Sequence, residues 1–414
     1  MPSTRLLPFA VVCFLAVLGT ASAAVPVPKP PAIDAGSYVL MDFQSGRILA
    51  AHKADVQSEP ASITKVMTAY IVFVALREKR LSLTDEVLVS EYAWRTGGAA
   101  SGGSTSFLEV NSRVPVEVLI KGMIIQSGNH ATIALAEKLG GTEDGFVQIM
   151  NEYARRLGMK NTNFENSWGG PGPKHYSSAH DLAVLSRALI REFPDYYGWY
   201  SERDFTWNRH KQANRNGLLA RDPSVDGIKT GHTKSAGYGL ASSAKRGGMR
   251  LISIVLGTDG FQAREDASAA LLNYGFTFFE TVKAKSAGDV VLKPEVYKGE
   301  EERVTLVPAR DIWVTVGRGA AAQLKTNATV KEPLVAPIKK GQALGEITVT
   351  DGKDVVARVP LIAQQAVPEG GWCHEMHNTD SEIYGGSNLG NGGGLQADPA
   401  PMHGFDYSLD LTVP

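Results

Sequence analysis

Ser62 and Lys65 stand three residues apart in EPASITKVMTAY, directly after Pro60. Three residues is close to one helical turn, so on a helix both side chains share one face. A serine hydroxyl is a weak nucleophile until a neighbouring base takes its proton. A lysine becomes that base when burial lowers its pKa. A helix N-terminus adds free N–H groups and a dipole that favour negative charge. The set suits attack on a carbonyl carbon. A second Ser-x-x-Lys, Ser242 to Lys245, sits in the strand-like run YGLASSAK. Positions three apart on a strand point to opposite faces, which disqualifies that pair.

Two further groups follow in order: Ser127-Gly128-Asn129 in QSGNHA, then Lys229-Thr230-Gly231 in GIKTGHT. Ser-x-x-Lys, Ser-x-Asn and Lys-Thr-Gly in this order form the signature of β-lactamases and penicillin-binding proteins. With PASITKVMTAYIV, LIKGMIIQSGN, YSSAHDLAVLSRALI, NRNGLL and VDGIKTGHTKSAGYGLASSAKR, the chain resembles the D-alanyl-D-alanine carboxypeptidases among the low-molecular-mass penicillin-binding proteins over about residues 33–370. The resemblance implies a mixed α/β (α+β) catalytic domain of the β-lactamase/transpeptidase type, followed by a small all-β sandwich. It implies a serine peptidase that removes the terminal D-alanine of peptidoglycan stem peptides through an acyl-enzyme on Ser62 and is inhibited by β-lactams. Lys65 would be the general base, and Ser127 would relay a proton to the leaving D-alanine. Asn129 would hold Lys65 and the substrate amide, and Lys229, Thr230, Gly231 and His232 would line the substrate. The N–H groups of Ser62 and His232 would form an oxyanion hole. Arg264, in FQAREDA, would grip the terminal carboxylate, which a guanidinium does with two hydrogen bonds. No metal or organic cofactor is implied.

The chain departs from the family pattern in four places. His130 follows Asn129 where Asp is usual, and is read as a packing residue. Trp168 replaces a usual His, and Thr105-Ser106 stand in a loop where Ser-Leu-Met is common. The family also ends in a basic amphipathic helix on the inner membrane. Here residues 371–414 are Gly-rich, carry six acidic residues and no Lys or Arg, and lack periodicity. That tail reads as disordered, and it makes the family's membrane association doubtful here. A shifted reading frame at the coding end would account for it. Its Cys373-His374-Glu375 and His377 do not match the His-Glu-x-x-His of zinc proteases and are not taken as a metal site.

The elements that must position these groups show in the periodicity. SYVLMDFQSGRILAAH reads as two strands about a turn at 44–46. A helix from about Ser62 to Lys79 is apolar nearly all round yet too short to span a bilayer, as for a helix at a domain centre. VEVLIKGMIIQSG, TIALAEKLG, TEDGFVQIMNEYARRLG and SSAHDLAVLSRALIREF carry helical spacing. VDGIKTG, YGLASSAK and MRLISIVLG read as strands, and AREDASAALLNYGFTFFETV as a closing helix. Helices between strands at both ends predict one sheet joining the two ends of a catalytic domain at 33–282. Residues 289–364 alternate apolar and polar about an Asp351-Gly352 turn, as in a separate all-β domain.

The chain of 414 residues has 42 Lys+Arg against 43 Asp+Glu, a balance that argues against a nucleic-acid partner. Arg5, the run LLPFAVVCFLAVLG and Ala21-Ser22-Ala23 predict a secretory signal over 1–23, followed by a Pro-rich lead-in at 24–32. The expected place is the periplasm, soluble or weakly held at the inner membrane. After cleavage only Cys373 remains, so no internal disulfide forms. The competing readings are a D,D-endopeptidase cutting cross-links and a non-catalytic peptidoglycan-binding scaffold. A class A β-lactamase is disfavoured, because none of Glu143, Glu152, Glu165, Glu192 and Glu202 begins a Glu-x-x-x-Asn segment.

Overall fold

The computed structural model describes residues 26–98 and 103–371. The expected leader and, but for Gly371, the expected tail lie outside the described residues.

Five antiparallel strands form the central sheet: β1 (Ser37–Asp42), β2 (Ile48–His52), β3 (Val225–Thr233), β4 (Gly237–Arg246) and β5 (Met249–Thr258). Their order is β2-β1-β5-β4-β3, so the first strand pairs with the last, Ser37 opposite Leu256. This is the expected joining of the two ends of the domain. The sheet is covered on both faces, which is why its strands read as nearly unbroken apolar runs. Val39 and Met41 enter one core, while Tyr38 and Leu40 enter the other, as a period of two requires.

Helices α1 (Lys65–Arg77), α2 (Asn129–Gly140), α3 (Glu143–Arg156) and α4 (Ala179–Glu192) lie on one side, and α5 (Phe261–Phe278) covers the other with Leu271 and Leu272. Every residue of α1 from Lys65 to Leu76 is buried, as expected for a helix at the domain centre. Side-chain caps open α3 and α4: Thr142 Oγ1 accepts from Gly145 N–H at 3.0 Å, and Ser178 Oγ from Asp181 N–H at 3.1 Å. The helix expected from Ser62 begins instead at Lys65. A 3-10 turn, Ala61–Thr64, precedes it, closed by Ile63 N–H donating to Pro60 O at 3.1 Å.

The closing helix also ends earlier than the sequence suggests, at Phe278. The alternating FETVKAK leaves it as strand β6 (Phe279–Lys285), which pairs with β7 (Ile312–Gly317). The second unit therefore starts at about residue 279, not 289. Its four-stranded antiparallel sheet runs Leu306–Pro308, Asp354–Ala363, Ala343–Asp351, Leu324–Val330, over a core that includes Val304, Ile312, Ile347, Val359 and Leu361. The expected turn at Asp351-Gly352 joins two of these strands, with Gly352 at φ +61°.

At the junction, fully buried Asp42 at the end of β1 accepts from Ser45 N–H at 2.7 Å and from Thr281 Oγ1 of β6 at 2.7 Å. Thr315 of β7 joins this network, 2.6 Å from Ser45 Oγ and 3.0 Å from Thr281 Oγ1. Arg318 donates to Phe276 O at 2.6 Å and Thr277 O at 3.1 Å, capping the last turn of α5.

Candidate active site

Ser62 sits in the 3-10 turn, behind Ala61 at φ +47°. A left-handed alanine costs energy and persists only where its surroundings hold it. Two glycines do so. A Cβ on Gly169, itself at φ +87°, would lie 1.8 Å from Ala61 O, and one on Gly231 would lie 2.8 Å from Pro60 O. The nucleophile turn is thus clamped between two backbones that no larger residue could bring so close.

One turn on, Lys65 is 1% exposed. Its Nζ lies 2.8 Å from Ser62 Oγ, 2.8 Å from Asn129 Oδ1 and 2.6 Å from Trp168 O. The two carbonyl-type oxygens can only accept. A neutral amine has two hydrogens and one lone pair, so the lone pair faces the Ser62 hydroxyl. Burial first, then the charge of Lys229, pushes the Lys65 pKa well down, while buried Glu143 pulls it partly back. This is the environment in which an amine becomes a base.

The Trp168 carbonyl is held from beneath. Glu143 Oε1 accepts from Ser167 N–H at 2.9 Å and Ser167 Oγ at 2.6 Å, and Glu143 Oε2 accepts from Tyr92 OH at 2.7 Å. Ser167 O accepts from Thr68 of α1 at 2.6 Å. Asn166 Oδ1 takes the N–H groups of Gly169 at 2.7 Å and Gly170 at 2.8 Å. His175 Nδ1 accepts from Glu165 N–H at 3.0 Å, so its Nε2 donates to Thr64 Oγ1 at 2.9 Å. Sequence reasoning singled out Trp168 as a departure but not its carbonyl as a ligand for Lys65, and it missed the supporting roles of Glu143, Asn166 and His175. Asn-x-x-Gly in ENSWGG was the available signal, since an Asn side chain readily caps N–H groups a few residues on.

Strand β3 forms another wall. Lys229 is buried and donates to Thr230 O at 3.0 Å. Burial, then Arg264 and Arg215, bring its pKa down to about 7. Arg264 reaches β3 from α5, donating from Nη1 to Gly231 O at 3.2 Å and packing 5.1 Å from the Phe261 ring centre. Its buried Nε meets no acceptor among the described residues. His232 is exposed, its ring 4.1 Å from that of Tyr238. Thr233 and Ser235 donate to Glu59 Oε2 at 3.0 and 2.8 Å, tying the end of β3 to the segment before Ser62.

A cleft of about 620 Å³ is lined by Ser62, Ser127, Asn129, Thr230, Gly231, His232 and Arg264, joined by Arg215, Lys234 and Phe261. Lys65 and Lys229 lie buried directly behind this lining. All the residues named from sequence are therefore brought together. The discarded Ser242 is buried in the sheet, while Lys245 is exposed. His130 is fully buried and bonded to backbone on both ring nitrogens, as a packing residue would be. A nucleophile, a buried amine with its lone pair turned to that nucleophile, positive charge and a guanidinium able to grip a carboxylate together suit acyl transfer from a peptide ending in a free carboxylate.

Comparison with known proteins agrees. The family model for D-alanyl-D-alanine carboxypeptidase matches residues 24–260, and that for the penicillin-binding protein 5 C-terminal domain matches 279–369. The chain is 43% identical to D-alanyl-D-alanine carboxypeptidase DacA of Escherichia coli K12 over 348 residues, 83% of this chain and 86% of that one. It is similar to the crystal structure of penicillin binding protein 5 from Haemophilus influenzae, with a TM-score of 0.79, 42% identity, and 83% and 100% of the two chains covered. Penicillin binding protein 6B from Escherichia coli matches at TM-score 0.67 and 39% identity, covering 81% and 98%. A third family model, the alpha amylase C-terminal all-beta domain, matches residues 363–414, nearly all beyond the described residues.

Proposed function

The chain belongs to the D-alanyl-D-alanine carboxypeptidase family, and from that premise we propose how its residues carry the reaction. It is a serine-type D-Ala-D-Ala carboxypeptidase. Ser62 Oγ attacks the carbonyl between the two terminal D-alanines as its proton passes to Lys65 Nζ. The oxyanion forms between the backbone N–H groups of Ser62 and His232. Ser127 relays the proton to the leaving D-alanine nitrogen, and the C–N bond breaks, leaving an ester on Ser62. Water, deprotonated through Lys65, then hydrolyses that ester. Asn129 holds the lysine and the substrate amide. Lys229 supplies positive charge, Thr230 and Gly231 line the peptide, and Arg264 grips the terminal carboxylate. The observation that carries this assignment is the buried Lys65 amine, with two obligate acceptors on its hydrogens and its third side facing Ser62.

β-Lactams acylate the same serine. Both oxygens of Glu143 are engaged by Ser167 and Tyr92, and among the described residues no glutamate lines the cleft, which supports slow release of the penicilloyl group. The Arg5-led apolar leader supports export to the periplasm. Among the described residues no helix is long and apolar enough to cross a membrane.

The test is D-alanine release from a short peptide ending in D-Ala-D-Ala, by the chain lacking its leader and by its Ser62→Ala variant. Release by the first alone supports the assignment. Release by both overturns the nucleophile, and release by neither overturns the reaction.

A further inference from the structure

His130 is the second residue of α2, directly after Asn129, and it is fully buried. Its Nδ1 lies 3.1 Å from the carbonyl oxygen of Gly97, and Leu108 N–H donates to its Nε2 at 3.1 Å. A carbonyl only accepts, so Nδ1 carries the hydrogen and Nε2 offers its lone pair. Two backbone groups thus fix the tautomer. The pattern needs a neutral ring, and burial pushes the pKa down to about 4.

Gly97 and Leu108 flank, on either side in sequence, the residues Gly103 and Ser104 that line the cleft. Ser104 O accepts the backbone N–H of Asn129 at 2.9 Å. Gly97 lies so close to the start of α2 that a Cβ there would sit 2.3 Å from His130 N. The same turn of helix therefore aims Asn129 at Lys65 and bonds, through His130, to Gly97 on one nitrogen and, on the other, to Leu108, four residues past Ser104.

We infer that His130 is a positioning residue that, through its bond to Leu108, holds the run from Gly103 to Leu108, and with it the Gly103–Ser104 wall of the cleft, at the distance substrate requires. It touches neither Ser62 nor Lys65. Losing it loosens binding and leaves the chemical step in place. The assay rests on the carboxypeptidase reading.

The experiment measures kcat and KM for a D-Ala-D-Ala peptide, with amide exchange at Leu108, in wild type, His130→Phe and His130→Gln. His130→Phe keeps a ring but neither bond. It is expected to raise KM about tenfold, the effect of roughly one lost buried hydrogen bond, with kcat within about threefold and faster Leu108 exchange. His130→Gln can still accept from Leu108 N–H, and it returns both readouts most of the way to wild type. An unchanged KM overturns the inference, as does a loss confined to kcat, which would place His130 in the chemistry. If His130→Phe does not fold, His130→Asn replaces it. That side chain can donate to Gly97 but is too short for Leu108, and the same rise is expected. If wild type releases no D-alanine, the reaction assignment fails instead, and Leu108 exchange alone decides the positioning role.

Discussion

The proposed reaction depends on an amine held uncharged at a pH where lysine is ordinarily charged. Burial and Lys229 push the Lys65 pKa down, so its base form is present well below the usual lysine range and is lost only as pH falls through that depressed pKa. In the proposed mechanism Lys229 acts as a charge, and it loses that charge as pH rises through about 7. The dependence of kcat/KM on pH is therefore expected to be bell-shaped, its alkaline limb starting near neutrality, with limbs belonging to the coupled pair. A plot flat from pH 6 to 9 would contradict this. Glu143 raises the Lys65 pKa through its charge, so Glu143→Gln moves the acid limb to lower pH, while the hydrogen bonds to Ser167 can persist through the amide oxygen. Side chains such as Ser62, Lys65 and Asn129 were legible in sequence because the chemistry demands those residue types at that spacing. The third ligand of Lys65 was not, because a main-chain carbonyl leaves no mark on residue type. Trp168 could be many residues and still present it.

Helices α1 and α2 and strand β3 were legible as elements from their apolar patterns. Their ends were less so. The 3-10 turn before α1 depends on Ala61 being forced to positive φ by Gly169 and Gly231, which come from distant segments that local pattern cannot see. Gly169→Ala tests that dependence. Its Cβ would collide with Ala61 O, so the Ser62 turn must shift. Displacement of about an ångström can lower rates about a hundredfold. D-Alanine release and penicillin acylation should fall together by that order, with far-ultraviolet circular dichroism retained. Loss of one without the other would mean the turn had not moved.

At the scale of the molecule, the two-domain division was legible from the change to alternating pattern, but its boundary was misplaced. β6 looks like more of the preceding helix until its partner β7 is known. The junction is a buried polar network on Asp42, reaching across from β1 to Thr281 and Thr315. Asp42→Ala leaves Thr281 and Ser45 without their acceptor, at a cost of about 1–3 kcal/mol. The melting temperature should drop by several degrees while kcat/KM at 25 °C stays near wild type, because Asp42 makes no bond to a residue of the cleft. A matching fall in kcat/KM would show that the domains are coupled through this network.

The pairing of β1 with β5 also sets a schedule for biogenesis. A ribosome delivers Ser62 early, yet the strand that must lie beside β1 ends only at Thr258, and β3, which backs the nucleophile through Gly231, comes late as well. Contacts this distant along the chain form slowly. A nascent polypeptide carrying the serine is thus inert until nearly the whole catalytic domain has emerged. Labelling arrested chains of increasing length with fluorescent penicillin should give no signal until Thr258 has cleared the tunnel, and a full one only once α5 has followed it.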